Sequence, residues 1–262
     1  MSEFRHPDVA ALVLAAGQGT RMKSDLPKVL HAIAGRPLLG YVLGTLEQLG
    51  VGRTLVVIGH QRERVRAAFP GAPVEWVTQE PQRGTGHAVM MAEEALLGFT
   101  GTLLVVCGDT PLLTAGTLHQ LIEGHEQSGA AATVLSMRLP DATGYGRIVR
   151  SGRIVPMVAA PILRIVEHRD ASPSELEIDE VNSGIYAFSY PRIARVLSHL
   201  SAHNAQGEYY LTDTIALLAR DGERAQVMCA GDYRELLGIN TVEQLAEAER
   251  AMKELDASEG RA

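Results

Sequence analysis

From Val9 to Leu14 the chain reads six apolar residues in a row, then passes through Ala15-Ala16 into Gly17-Gln18-Gly19-Thr20-Arg21. A strand with no polar alternation has to be covered on both faces, which is the condition of a strand inside a parallel sheet. A glycine-rich turn at its end, with no Cβ in the way, lets backbone N–H groups approach a phosphate chain. The same rhythm continues downstream. Pro37–Leu49 reads as a helix opened by a proline whose missing N–H costs nothing there. Arg53–Ile58, Val74–Val77 and Thr102–Cys107 read as strands, and Gln61–Phe69, Thr85–Leu97 and Thr114–Gln127 as helices. Regular alternation of this kind predicts an α/β fold, doubly wound around a mostly parallel sheet.

Beyond Ala130 the pattern turns strand-rich as far as Tyr190, with turn signals at Gly144-Tyr145-Gly146 and Ser151-Gly152. Helices return at Pro191–Leu200 and Thr212–Arg220, and a last one is predicted over Thr241–Leu255, followed by a frayed tail, Ser258–Ala262. This divides the chain into one domain over residues 1–240 and a C-terminal helix with its tail over 241–262.

The net charge of −7 argues against a general nucleic-acid surface, so positive charge for an anionic ligand has to be local. No apolar run approaches the ~20 residues of a membrane span. Cys107 and Cys229 match no metal or redox spacing, and a cytoplasmic location is expected.

Lysine occurs only at 23, 28 and 253, and one of the three stands just behind the glycine loop. Arg21 can fork onto phosphate oxygens while Lys28 offers a point charge to a second phosphate. The third glycine of a dinucleotide fingerprint would fall on Met22, and Gly-Lys occurs nowhere, so the loop is neither that fingerprint nor a P-loop. Asp109 follows the strand ending at Cys107, at the edge where parallel sheets gather ligands. There it serves either as a magnesium ligand or as a cap for the helix that follows. The histidines show no metal spacing, and no G-x-S-x-G elbow supports a hydrolase.

Leu14–Met22 with Leu26-Pro27-Lys28 resembles the signature of the nucleotide-sugar pyrophosphorylases, specifically the uridyltransferase domain of the bacterial bifunctional N-acetylglucosamine-1-phosphate uridyltransferases. Gln82–Ala88, Gly108–Leu112, Gly144–Ile148 and Asn204–Asp213 match in order, so the resemblance spans about Val9 to Asn240. It implies a Rossmann-like fold with a strand-rich sugar-binding part. It further implies transfer of uridylyl from UTP to N-acetylglucosamine 1-phosphate, giving pyrophosphate and UDP-N-acetylglucosamine, a precursor of peptidoglycan and lipopolysaccharide. Carried over residue by residue, Leu14, Ala15, Ala16 and Gly17 bind the nucleotide, and Arg21, Lys28 and Asp109 act on the phosphates. Asp109 and Asn240 hold Mg²⁺, although Asn240 also suits a helix cap. Gln79 reads the uracil edge beside Gly84 and Thr85, and Gly146, Glu167 and Asn182 bind the sugar.

The chain departs from the resemblance at three places. Cys107 stands where a tyrosine is usual, and Val155–Leu163 reads as an insertion near the sugar side. The chain also carries no hexapeptide repeat, so an acetyltransferase β-helix is not expected, and a monomer is. Two alternatives remain beside the main reading: a pyrophosphorylase for another hexose 1-phosphate or NTP, and a catalytically silent nucleotide-sugar sensor.

Overall fold

The computed structural model describes residues 4–150 and 161–259. Strand β1 (His6–Leu14) leads through two 3-10 turns, Thr20–Met22 and Lys28–Leu30, into a small hairpin of β2 (Ala32–Ile33) and β3 (Arg36–Pro37). Next come α1 (Leu38–Leu49), β4 (Val51–Ile58), α2 (Arg62–Ala68), β5 (Glu75–Thr78), α3 (Thr85–Met90), β6 (Thr102–Cys107) and α4 (Ala115–Ser128). The strand-rich part holds β7 (Ala132–Arg138), β8 (Arg147–Arg150), β9 (Ile162–Val166), the short α5 (Pro173–Leu176) and β10 (Glu180–Ser189). The described chain ends with α6 (Tyr190–Leu197), α7 (Asp213–Arg220), β11 (Ala225–Cys229) and α8 (Val242–Glu259).

The strands form one sheet in the order β11-β7-β10-β6-β1-β4-β5, with β8 and β9 attached beside β10. All neighbours along this order are parallel except β10, which runs antiparallel to both β6 and β7. The expected doubly wound, mostly parallel fold is therefore present. Strand β1 lies inside the sheet, between β6 and β4, with both faces covered. Ala10 and Leu12 pack with α3, α6 and α7, while Val9, Ala11 and Val13 pack with α1, α2 and α4. On α1 the inward residues Leu39, Val42, Leu46 and Leu49 recur at helical spacing, and Gly50 closes the helix in a left-handed conformation at φ 68°.

Two helices differ from the sequence reading. The helix expected over Thr85–Leu97 stops at Met90, and Met91–Gly98 continues as turns. Its apolar spacing misleads because Ala92 and Leu96 still reach the core from the turns, so burial is kept without helical regularity. Helix α8 extends through Ser258 and Glu259, which the sequence reading placed in a frayed tail. Leu245, Ala248 and Met252 fall on one face of it and pack against Ile33, Leu38 and Ile239, so α8 is docked on the domain. Most of the Val155–Leu163 segment lies outside the described residues; its end, Ile162 and Leu163, opens β9.

Parallel pairing puts the carboxyl ends of β1, β4, β5 and β6 on one edge of the sheet. Because β10 is antiparallel, its amino end, with Asn182 and Gly184, arrives at that edge as well, next to Cys107.

Candidate active site

The loop after β1 is shaped around Lys28. Gly19 adopts φ +64°, and a Cβ on it would lie 2.6 Å from the Lys28 Cβ, so any other residue would push the lysine away. The Lys28 side chain is only 17% exposed, and its ammonium forms an ion pair with Asp109 Oδ2 and donates to Asn240 Oδ1 at 3.1 Å. Arg21 Nη2 donates to the same Asn240 oxygen at 3.1 Å. Four residues from three distant parts of the chain thus meet in one cluster.

Both capping alternatives left open by the sequence are resolved by the neighbours of these residues. Thr114, not Asp109, caps α4, accepting from Thr117 N at 3.2 Å. Thr241 caps α8, accepting from Gln244 N at 3.2 Å, while Gln244 Oε1 reaches back to Asn240 N at 2.7 Å. The Asn240 side chain is released from capping duty and turns its oxygen toward the cations. A backbone bond from Ile239 N to Asp109 O, 2.9 Å, holds the two segments together.

Asp109 Oδ2 and Asn240 Oδ1 converge on a single ammonium nitrogen, so both are within reach of one cation. Two hard oxygen donors with room for phosphate and water are the donor set magnesium takes. Asp109 and Asn240 fit that ion.

Beside the cluster opens a cavity of about 560 Å³, lined by Leu14–Gly19, Lys28, Gln79, Gln82, Gly84, Thr85, Cys107, Asp109 and Glu208 among others. Gln79, in its wall, is 4% exposed. Its Nε2 donates to Gly84 O at 2.9 Å and lies 3.1 Å from His87 Nδ1. A carbonyl oxygen can only accept, so the first bond fixes which end of the amide carries the NH₂. With both amide hydrogens engaged, only Oε1 is left to offer a ligand. The sequence had both a donor and an acceptor available at Gln79; the structure leaves the acceptor. The arrangement requires neutral His87 with its proton on Nε2, and burial, aided by nearby Arg83, lowers the His87 pKa in that direction.

Gly84 has a second, structural reason to be glycine. At φ +102°, a Cβ there would meet Tyr209 O at 2.6 Å. The same contact joins the Gln82–Ala88 segment to the Asn204–Asp213 segment, with Gly86 N donating to Tyr209 O at 2.8 Å and Leu211 N to Thr85 Oγ1 at 3.1 Å. Gly84 and Thr85 therefore line the cavity while also holding its wall together.

The three residues expected to bind sugar form a third group. Asn182 N donates to Gly146 O at 2.8 Å, and Glu167 Oε2 lies 3.4 Å from where a Gly146 Cβ would sit. Asn182 is partly engaged, donating to Tyr186 Oη at 2.6 Å and accepting from Gly184 N at 3.1 Å. Glu167 Oε1 accepts from Thr212 Oγ1 at 3.0 Å, and burial raises its carboxyl pKa above the ordinary range despite that bond. Tyr145 connects this group to the charge cluster: burial raises its phenol pKa, and the Asp109 charge adds to the effect. Burial also pushes the Cys107 thiol up to about 12, so Cys107 is an inert wall and no nucleophile.

Sequence reasoning had passed over His87, Gln82, Glu208, Tyr186 and Thr212. Thr212 and Glu208 lie inside the Asn204–Asp213 motif, which was the available signal. His87 stood in a recognised segment but read only as a residue at a helix start.

The model of the MobA-like NTP transferase domain matches residues 11–162. The chain belongs to this family. Among curated relatives, this chain is 50% identical over 249 residues to the bifunctional protein GlmU of Thermobifida fusca, covering 93% of this chain and 50% of that protein. It is 48% identical over 248 residues to the GlmU of Streptomyces coelicolor, covering 94% and 50%. The chain thus spans about half the length of the curated relatives it matches. Its fold is shared with a UDP-glucose pyrophosphorylase solved with UDP-glucose, at TM-score 0.72 and 20% identity over 94% of this chain and 98% of that one.

A cavity of about 580 Å³ lies elsewhere, between α1 and β4. Its wall is largely apolar, and Arg36 within it is engaged with Gly40 O and, at 4.8 Å, with the Tyr41 ring. Convergent polar groups, which fix a ligand's orientation, favour the cavity beside Lys28.

Proposed function

We propose that this domain transfers a uridylyl group from UTP to N-acetylglucosamine 1-phosphate. The observation that carries the reading is the convergence of Arg21, Lys28, Asp109 and Asn240 beside a cavity whose inner wall presents Gln79. The near-50% identity to GlmU proteins over almost the whole domain supports the choice of substrates.

In this mechanism the UTP phosphates lie along Gly17–Arg21, and the base enters toward Gln79 Oε1. Uracil offers an N3–H donor there, whereas cytosine offers a lone pair, so an acceptor-only glutamine selects uracil. Gly146, Glu167 and Asn182 hold the sugar with its 1-phosphate turned toward Lys28. A phosphate oxygen of the sugar 1-phosphate forms a bond to the α-phosphorus as the bond to the bridging α–β oxygen breaks. Pyrophosphate carries away the electron pair of that bond. Lys28 turns from Asp109 and Asn240 to the α-phosphoryl oxygens, and Arg21 steadies the leaving pyrophosphate. When bound by Asp109 and Asn240, magnesium supplies charge neutralisation for the reacting phosphates. No side chain is required as a covalent carrier; catalysis is positioning and charge stabilisation.

Pyrophosphate release measured over a grid of four NTPs and several sugar 1-phosphates, with and without magnesium, tests the reading. The expected result is metal-dependent release confined to UTP with N-acetylglucosamine 1-phosphate. Comparable turnover with another sugar 1-phosphate would overturn the substrate assignment, and absence of turnover with every pair would overturn the enzymatic one.

A further inference from the structure

At the opposite edge of the sheet, His6 opens β1, roughly 26 Å from Leu14 at the rise of an extended strand. Its ring meets α4, where His119 and Glu123 stand one turn apart on the same face. The three side chains each bring a ligand atom within 4.8 Å of the other two. Among the described residues, no other group of three or more His, Cys, Asp or Glu side chains gathers its donor atoms in this way.

We propose that His6, His119 and Glu123 form a second metal site, selective for a zinc-class divalent ion and separate from the magnesium-type donors at Asp109 and Asn240.

The donor chemistry sets the class. Two imidazoles and one carboxylate are a ligand set of zinc and its first-row neighbours, and three protein ligands leave a position for water. Magnesium prefers oxygen and would leave the two ring nitrogens unused. His6 Nε2 and His119 Nδ1 stand 2.9 Å apart and share one proton, one ring donating and the other accepting. With the proton of the donating ring moved to that ring's other nitrogen, a divalent ion takes both facing lone pairs at once and both imidazoles stay neutral.

The surroundings hold the donors in place. The Phe4 ring stacks on His119 at 4.4 Å and 18°, restricting its rotation. The backbone of His6 is pinned by its N–H to Gly50 O at 2.9 Å. His6 is buried, and His119 and Glu123 are half-buried, so the site is sheltered on one side and reachable from the other. The charges that His6 feels from its neighbours include those of Glu123 and Glu126, which favour a cation between the rings.

Zinc titration by calorimetry of the chelator-stripped protein, held throughout in excess magnesium, tests the site, with cobalt absorption as a second readout of nitrogen and oxygen ligation. One saturable zinc equivalent is expected in the wild type. His119→Ala should weaken it by more than the ~10–100-fold that loss of even an outer partner costs. Glu123→Gln, a gentler change at a half-buried position, should weaken it in the same direction. Asp109→Asn should leave it intact. No saturable uptake, uptake that survives both His119→Ala and Glu123→Gln in variants with wild-type circular dichroism, or uptake lost in Asp109→Asn would each overturn the proposal. Because binding alone is read, the outcome does not depend on which nucleotide or sugar the domain uses.

Discussion

Around Lys28 the side chains bond chiefly to one another, whereas around Gln79, Asn182 and Glu167 they bond to the backbone and to core residues. Arg21, Lys28, Asp109 and Asn240 come from loops, and the contacts that gather them are largely charge against charge or charge against amide. Such groups can exchange one another for a phosphate or a cation without undoing the fold. Gln79 is held by Gly84 O and His87, Asn182 by Tyr186 and Gly184, and Glu167 by Thr212. These groups are pre-set, and each retains a limited donor or acceptor capacity for a ligand. The contrast fits the proposed division of labour, since a reacting phosphate changes charge during the reaction while a base or sugar is only recognised. It also implies that substitutions in the first region cost activity and those in the second cost activity and stability together.

The largest effect should come from Asp109→Asn. It removes the carboxylate from the cluster, and turnover is expected to fall by at least ~10²-fold, the scale of losing a principal electrostatic stabiliser. Circular dichroism and the melting temperature should change little, because α4 keeps its cap at Thr114. Near wild-type turnover would erase the distinction between the two regions by removing Asp109 from the chemistry.

A smaller effect is expected at the base. If Gln79 presents only Oε1, kcat/KM for UTP should exceed that for CTP by well above the ~10–200-fold available from shape alone. His87→Ala frees one amide hydrogen of Gln79, and the preference should then drop by roughly tenfold, the worth of about one hydrogen bond. An unchanged preference in the variant would mean that the engagement of the second amide hydrogen by His87 plays no part in the selection.

The same pair gives a pH dependence with a definite sign. His87 accepts from Gln79 only when neutral, and its folded-state pKa is lowered from 6.5 by burial. The UTP preference should therefore stay level above pH 6.5 and decline as the pH falls below it. Stability follows in the same direction. The unfolded chain binds this proton more readily, so the contribution present above the unfolded value is lost as pH falls through the folded one. Preference and melting temperature measured across that range, in wild type and His87→Ala, separate this imidazole from other titrating groups.

The central strands were legible because they have no polar alternation; β6 ends at Cys107 in the structure as it does in the sequence reading. The end of α3 was not legible, since Ala92 and Leu96 keep helical spacing while the chain has already left the helix. Within the site, the glycine loop and its two cations could be read locally. Asn240 could not: it lies 219 positions from Arg21, and residue chemistry alone offers capping as an equally natural role. Only the resemblance pointed to it before the structure placed it. The Gln79–His87 contact escaped both routes, because a histidine at a helix start carries no mark of what its ring will face.

The smallest effect tests how far the charge cluster depends on its scaffold. Thr114 caps α4, and its hydroxyl donates to Glu235 Oε2 at 3.0 Å in the turn that leads toward Asn240. Thr114→Ala should cost about 1 kcal/mol of stability, the usual worth of a cap. Its effect on turnover should stay within about twofold, well under the 1.4 kcal/mol that a tenfold change requires. Two contacts keep the Asn240 segment in place without it: Thr117 Oγ1 donates to the same Glu235 oxygen at 2.7 Å, and Ile239 N remains bonded to Asp109 O. Denaturant unfolding and steady-state rates on one preparation check both halves. A loss of turnover approaching that of Asp109→Asn would show that the cluster is held by the cap and not by its own charges, and the two regions would then no longer differ in kind.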